Sequence, residues 1–151
     1  MKKRVIKIGL VVILLVIGAY GYWQSRTSAI RIVSISNQAV RVTAVSSPED
    51  LTRGLAGVHN LEWDQGMLFL FPARGQYQFW MKDMAIPIDI IWLRDNLVAD
   101  ITRQVPAPVD LQHQDNLPLY SSREPIDSVL EVRSGFADRY SVKIGDSVSF
   151  K

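Results

Sequence analysis

From Ile30 onward the chain alternates apolar and polar residues in short bursts, the period-two pattern of half-buried strands. Ile30-Arg31-Ile32-Val33-Ser34-Ile35 and Val40-Arg41-Val42-Thr43-Ala44-Val45 read as two such strands, with Asn37-Gln38 a turn between them. Ser47-Pro48-Glu49-Asp50 is a helix start, with Ser47 as N-cap and Pro48 at the first helical position. The helix is short, runs through Leu51 and Arg53, and stops near Gly54 or Gly57. Strands are then expected at Met67–Phe71, Tyr77–Lys82, Ile88–Leu93 and Leu97–Val105, joined by the turn-type connectors Pro72-Ala73-Arg74-Gly75 and Arg94-Asp95-Asn96.

The stretch from Gln104 to Pro118 has three prolines at 106, 108 and 118 and little periodicity, so it reads as a long loop of the kind that serves binding. Ser128–Arg133 is a further strand, Gly135–Tyr140 a helical turn, and Val142–Phe150 a closing strand bent at Gly145-Asp146. Seven or eight short strands and one short helix predict an all-β, or β-rich, barrel or sandwich.

The first 24 residues do not belong to that pattern. Lys2, Lys3, Arg4 and Lys7 form a basic head, followed by an uncharged apolar run from Ile8 to Trp23. As a helix that run would span roughly 24 Å, somewhat short of a ~30 Å hydrocarbon core. Tyr20, Tyr22 and Trp23 at its far end suit a membrane interface, and the basic head orients the N-terminus to the cytoplasm. Two readings stand: an uncleaved signal anchor, or a signal peptide cut near Ala19-Tyr20-Gly21. Either delivers the rest of the chain outside the cytoplasm, tethered to the membrane through residues 8–23 or secreted if the signal is cleaved. The expected organisation is thus 1–24 signal anchor or signal peptide, 25–39 linker and first strand, and 40–151 exported β domain.

Charge changes meaning once this segment is removed. The whole chain has a pI near 9.0. Of its 17 basic residues four lie in the head, leaving 13 against 15 acidic ones, a net charge of 13 − 15 = −2 for residues 25–151. That removes the electrostatic basis for nucleic-acid binding. There is no cysteine, hence no disulfide, lipid-attachment cysteine or thiolate metal site.

Several blocks recur in a recognisable order: Gly54-Leu55, Gly66-Met67-Leu68-Phe69, Phe79-Trp80-Met81-Lys82, Ile86-Pro87-Ile88-Asp89-Ile90-Ile91, Val129-Leu130-Glu131 with Gly135, and Ile144-Gly145-Asp146. As a set over about residues 40–150 they resemble the uncharacterised prokaryotic family called domain of unknown function 192. The resemblance implies a compact, mostly β fold, often exported, with no established activity. In many members the Gly-Leu block continues into Met and then a basic residue two positions on; here those positions hold Ala56 and Val58.

Candidate chemistry rests on polar residues inside apolar strands. Strand parity puts Asp89, Ile91 and Leu93 on one face and Ile88, Ile90 and Trp92 on the other; Trp80 pairs with Lys82, and Val129 with Glu131 and Arg133. A cluster of Lys82, Asp89 and Glu131 would be equipped for acid–base work. The structural alternative is a buried ion pair, or carboxylates that accept backbone N–H bonds. Trp80 could present a stacking plane to a sugar or peptide, or be ordinary strand packing. Met81 and Met84 with His59 could suggest a soft copper site, but Met more often fills gaps in a core. His59 and His113, with a carboxylate for zinc, lack the i, i+4 spacing of a helical pair, so no metal or other cofactor is expected. Ser121-Ser122 is not in a nucleophile elbow.

Three functional readings follow. The leading one is a membrane-anchored extracytoplasmic module that binds a small molecule or envelope component in a groove of Trp80, Lys82, Asp89, Tyr120 and Glu131. The second is a hydrolase- or lyase-type enzyme using Asp89 or Glu131 with Lys82. The third is an envelope interaction module presenting an open strand edge.

Overall fold

The structure, a computed structural model, describes residues 29–110, 114 and 116–151. The expected signal segment and His113 lie outside these residues, and no helix among the described ones is long and apolar enough to cross a membrane. The elements in order are β1 (Ala29–Ile35), β2 (Gln38–Val45), α1 (Pro48–Arg53), β3 (Gln65–Gly75), β4 (Ile88–Arg94), β5 (Leu97–Val105), β6 (Ile126–Arg133), α2 (Phe136–Arg139) and β7 (Val148–Phe150). The seven strands form one sheet in the order β5-β4-β6-β3-β2-β1-β7. It curls as a half-barrel until its two edges touch, where Leu97 bridges Ser147 and the Val98 N–H donates to the Asp146 carbonyl at 2.9 Å.

Local chemistry explains most of the elements. The β1–β2 hairpin turns on Ser36 and Asn37, and the β4–β5 hairpin on Asp95 and Asn96, all four at positive φ. Two consecutive left-handed residues give the turn whose twist matches paired strands, and Asn and Asp tolerate it best. The Ser47 hydroxyl accepts the Asp50 N–H at 3.2 Å, Pro48 opens α1, and Gly54 ends it at φ +50°. Because α1 carries the chain back to the same end of the sheet, β2 and β3 pair in parallel, while the other strand pairs are antiparallel. At Gly66 β3 presses so close to β6 that a Cβ there would lie 2.6 Å from the Glu131 carbonyl oxygen.

Each face of the sheet has its own core. One gathers buried residues from all seven strands, including Val33, Val42, Leu68, Ile91, Val98, Leu130 and Val148, and closes over Phe136 and Ala137 of α2. This is the interior of the curl. The other lies on the outer face of β3, β4 and β6, where Phe69, Ile88, Ile90, Trp92 and Val129 are roofed by Leu55, Leu61, Met81 and Met84 from the connecting segments. The parity expected for β4 holds: Asp89, Ile91 and Leu93 go inward, and Ile88, Ile90 and Trp92 outward.

Four expectations need correction. Tyr77–Lys82 is not a strand but part of the roof, tied to the fold by a single bridge from Phe79 to Tyr120. Its aromatic alternation reflects packing onto an apolar face: the Phe79 ring meets Phe69 at 5.0 Å and Trp92 at 5.4 Å, both edge-on. Pro72–Gly75 is consequently no hairpin; β3 runs on through it with an irregular register against β6. The closing strand is only Val148–Phe150, and there are two short helices instead of one.

Candidate functional site

The roof segment keeps the period-two rhythm that its sequence suggests from Phe79 to Lys82 and loses it at Asp83, whose φ is +57°. Phe79, Met81 and Met84 turn toward the outer core, and Trp80 and Lys82 turn to solvent. Its backbone is held at both ends. Phe79 and Tyr120 exchange N–H···O bonds of 2.9 and 2.8 Å, and the Asp83 carbonyl accepts the Gly57 N–H at 3.0 Å. Gln114 clamps Asp83 from the other side, accepting its backbone N–H at 2.8 Å and donating to its carboxylate at 3.0 Å. Trp80 therefore stands on a fixed backbone, yet is 46% exposed.

A groove runs along α1 on both sides of this indole. One part, of about 600 Å³, is bounded by Glu49, Thr52, Arg53, Ala56, Trp80, Lys82 and Asp83. The other, of about 420 Å³, is bounded by Leu51, Thr52, Phe71, Tyr77, Phe79 and Trp80. Pro48, Thr52 and Trp80 belong to both. The Lys82 ammonium lies 5.5 Å from the Trp80 ring centroid, within cation–π range. At the far end Tyr77 stacks on Phe71 and its hydroxyl donates to the Ala73 carbonyl at 2.6 Å. The groove thus offers one aromatic plane, an apolar end, and an end with two cations and two carboxylates. Sequence reasoning found Trp80 and Lys82 but missed Thr52, Arg53, Phe71 and Tyr77. Arg53 and Thr52 were legible as the polar face of α1, but nothing local tells that this face looks onto Trp80.

The five residues expected to share a groove are dispersed. Tyr120 borders a different cavity, of about 270 Å³, with Met81 and the Pro106–Pro108 turn. Asp89 and Glu131 line none of these cavities and lie on opposite faces of the sheet, because Asp89 is registered with Val132 and Ile90 with Glu131. The expected Lys82–Asp89–Glu131 cluster is therefore not assembled. Adjacent strands put side chains of one face opposite each other, and the register offsets these two carboxylates by one residue.

Asp89 is fully buried and accepts three backbone N–H groups: Gln104 at 2.7 Å, Gly135 at 3.1 Å and Ala137 at 2.8 Å. It fastens the end of β5 and the start of α2 to β4. Glu131, 5% exposed, has the opposite surroundings. Its Oε2 has no hydrogen-bond partner among the described residues and lies beside Gly54, 4.0 Å from where a Cβ there would stand. Loss of water pushes its carboxyl up to about 8, so it is largely protonated at neutral pH. Asp100 shows a third environment. The Arg123 guanidinium donates to it twice, at 3.0 and 2.8 Å, and the Arg123 backbone N–H once, at 3.0 Å. The Arg123 side chain holds this carboxyl below the usual range despite its partial burial.

Met81 and Met84 are core residues, His59 is exposed, and no group of three or more His, Asp or Glu among the described residues could hold a metal ion. Val58, at the position where many members of the resembling family carry a basic residue, packs against the outer core.

Comparison with known proteins agrees with this architecture. The sequence matches the family model described as DUF192, Uncharacterized ACR, over residues 31–150. A crystal structure of a protein from Sinorhizobium meliloti 1021, provisionally named a transcription regulator, superposes with a TM-score of 0.73 at 25% identity, covering 82% of this chain and 95% of that one. A protein of unknown function from Novosphingobium aromaticivorans DSM 12444 gives 0.70 at 26% identity, covering 81% and 84%. No curated protein matches the sequence.

Proposed function

The chain belongs to the DUF192 family, and on that premise we propose that it is a membrane-tethered, extracytoplasmic β domain that binds an amphipathic small molecule or envelope component along α1. The observation that carries this reading is the half-exposed Trp80, fixed from below by partly buried Phe79 and buried Met81 and flanked on both sides by open groove. An indole on a rigid backbone, with a few charged groups at one end of an apolar trough, suits a ligand with a flat apolar face and a polar tail. A sugar ring stacked on Trp80 with a charged peptide reaching Arg53 and Lys82 has that form. The tether is the apolar run 8–23 behind its basic head.

The name given to the Sinorhizobium protein does not extend naturally to this chain. Residues 25–151 have no basic excess to meet a phosphate backbone. The enzymatic reading has lost its constellation, since Lys82, Asp89 and Glu131 have three separate environments. The interaction reading would rest on the outer edge of β5 beyond Val98, since β7 and Lys151 cover β1 from Ile32 on among the described residues.

Titration of the full chain with a soluble muropeptide, followed by intrinsic fluorescence, tests the binding reading. Saturable quenching that is lost in Trp80→Ala, and weakened about tenfold or more in a Lys82→Ala/Arg53→Ala pair, is the expected result. Quenching that survives in Trp80→Ala would remove the groove from consideration.

A further inference from the structure

A second cavity, of about 430 Å³, opens between the 59–61 segment, Ile86-Pro87 and the end of β6. Its polar lining consists of His59, Asn60, Arg133 and Ser134, and its apolar lining of Leu61, Ile86 and Pro87. No acidic side chain borders it. The acid next to it in sequence, Glu62, accepts the Asn60 amide at 2.6 Å.

Arg133 is the centre of this cavity's chemistry. It is half-buried, its guanidinium carbon lies 4.9 Å from the Trp63 ring centroid, and one Nη donates to the Leu61 carbonyl at 3.3 Å. Trp63 is itself fixed: Tyr140 meets it edge-on at 6.4 Å, and Arg139 lies over it at 4.6 Å. Neither arginine forms an ion pair among the described residues, although seven ion pairs bind other arginines there. Nε and the second Nη of Arg133 have no acceptor among the described residues. A guanidinium usually costs a carboxylate or phosphate partner to bury even partly. Here it is stacked, oriented and left with a free planar fork at the wall of a cavity.

We propose that this cavity is a binding site for a small organic carboxylate, with Arg133 pairing to the carboxylate and Leu61, Ile86 and Pro87 receiving its apolar body. The class follows from the geometry. A planar fork with one edge free matches a carboxylate in two parallel hydrogen bonds, and a volume of about 430 Å³ suits a small molecule and not a polymer. Three apolar wall residues favour a ligand with hydrocarbon attached over a bare inorganic anion. Trp63 is a positioning residue: it holds the guanidinium without reaching the ligand. This site is separate from the Trp80 groove, shares no lining residue with it, and stands or falls independently of it.

The test is an NMR titration of the full chain with benzoate, read at the Arg133 Nε–H and the Ile86 methyl groups, with acetate and inorganic phosphate as comparison probes. The expected result is saturable benzoate binding that moves both signals and is about tenfold tighter than acetate, phosphate competing weakly. Arg133→Lys keeps the charge and the stem but loses the fork, and is expected to weaken benzoate about tenfold, while Arg94→Lys, at an exposed ion pair with Glu124, binds as the wild type does. Should Arg133→Lys fail to fold, the wild-type Arg133 signal still decides. No saturable shift there, equal binding of phosphate and benzoate, or undiminished binding in a folded Arg133→Lys would each overturn the proposal.

Discussion

Asp89 and Glu131 sit on neighbouring strands, one residue out of register, and are both almost wholly withdrawn from water. The first enters the interior of the curled sheet and meets three backbone N–H groups from two other elements. The second enters the outer core beside Gly54, with no donor within reach of its Oε2 among the described residues. Burial alone is therefore no guide to what a carboxylate does. Donors at the end of a strand and the start of a helix turn Asp89 into a fastener, whereas Glu131 can remain where it is only by keeping its proton. One of these groups supports the fold, and the other is a cost that the fold tolerates.

That contrast can be broken by mutation. The largest effect is expected for Asp89→Ala, which strands three N–H donors, one buried and two partly buried, at about 1–3 kcal/mol each. A loss of about 5 kcal/mol, or on the order of 15 °C in Tm for a domain of this size, should appear in thermal unfolding of the full chain. A drop of only a degree or two would mean that the donors find other acceptors, and the fastener account would fail.

Glu131 should behave in the opposite sense, with a pH dependence that identifies it. Its carboxyl is raised from 4.5 to about 8 on folding, so above 4.5 the unfolded chain releases a proton that the native state retains. Stability is then undiminished below about 4.5, falls as pH rises, and levels off once pH passes about 8. The penalty is about 3 kcal/mol at pH 7 and about 5 kcal/mol at full ionisation. Glu131→Gln should equal the wild type near pH 4.5 and exceed it increasingly up to pH 8, by denaturant unfolding across that range. Parallel pH profiles for the two proteins would show that Glu131 is ionised in the native state and has a partner.

Asp100 lies between the two and has the smallest expected effect. Its carboxyl is lowered, chiefly by the Arg123 side chain, so its contribution is present above the ordinary carboxylate pKa of 3.8 and disappears as pH falls through the lower folded value. Arg123 is 74% exposed, so solvent screening keeps the pair's contribution small. Asp100→Asn should cost a small amount of stability at pH 7, and progressively less as pH falls below 3.8, in acid-titrated unfolding. A cost of several kcal/mol would move Asp100 into the class of Asp89.

Much of the fold was readable along the chain because local physics writes it there. The strand bursts around residues 30–35, 40–45, 88–93, 97–105 and 128–133, the Ser47-Pro48 helix start and the Asp95-Asn96 turn each need only their own neighbours to be understood. The failures share one cause. Tyr77–Lys82 alternates like a strand because it lies on an apolar face, and the alternation does not record whether a second strand pairs with it. The same segment gave a correct outward direction for Trp80 and Lys82, since side-chain parity survives the loss of the ladder. Arg133 was noted only as a face-mate of Glu131; its stacking on Trp63 joins residues seventy positions apart and leaves no trace in either neighbourhood.

The sequence by itself determined which residues extend, where the chain turns, which faces are apolar, and that a basic-headed apolar segment precedes the β domain. These follow from side-chain parity, capping and hydrophobic periodicity, all of which act over a few residues. Only the tertiary structure decided that the two carboxylates part company across the sheet, that one finds three donors while the Oε2 of the other finds none among the described residues, and that a helix face meets an indole to make a groove. Those outcomes depend on register and on which distant backbone comes near. A shift of one residue in pairing exchanges every face, and the chemistry of a buried charge is set by the neighbours it finds there.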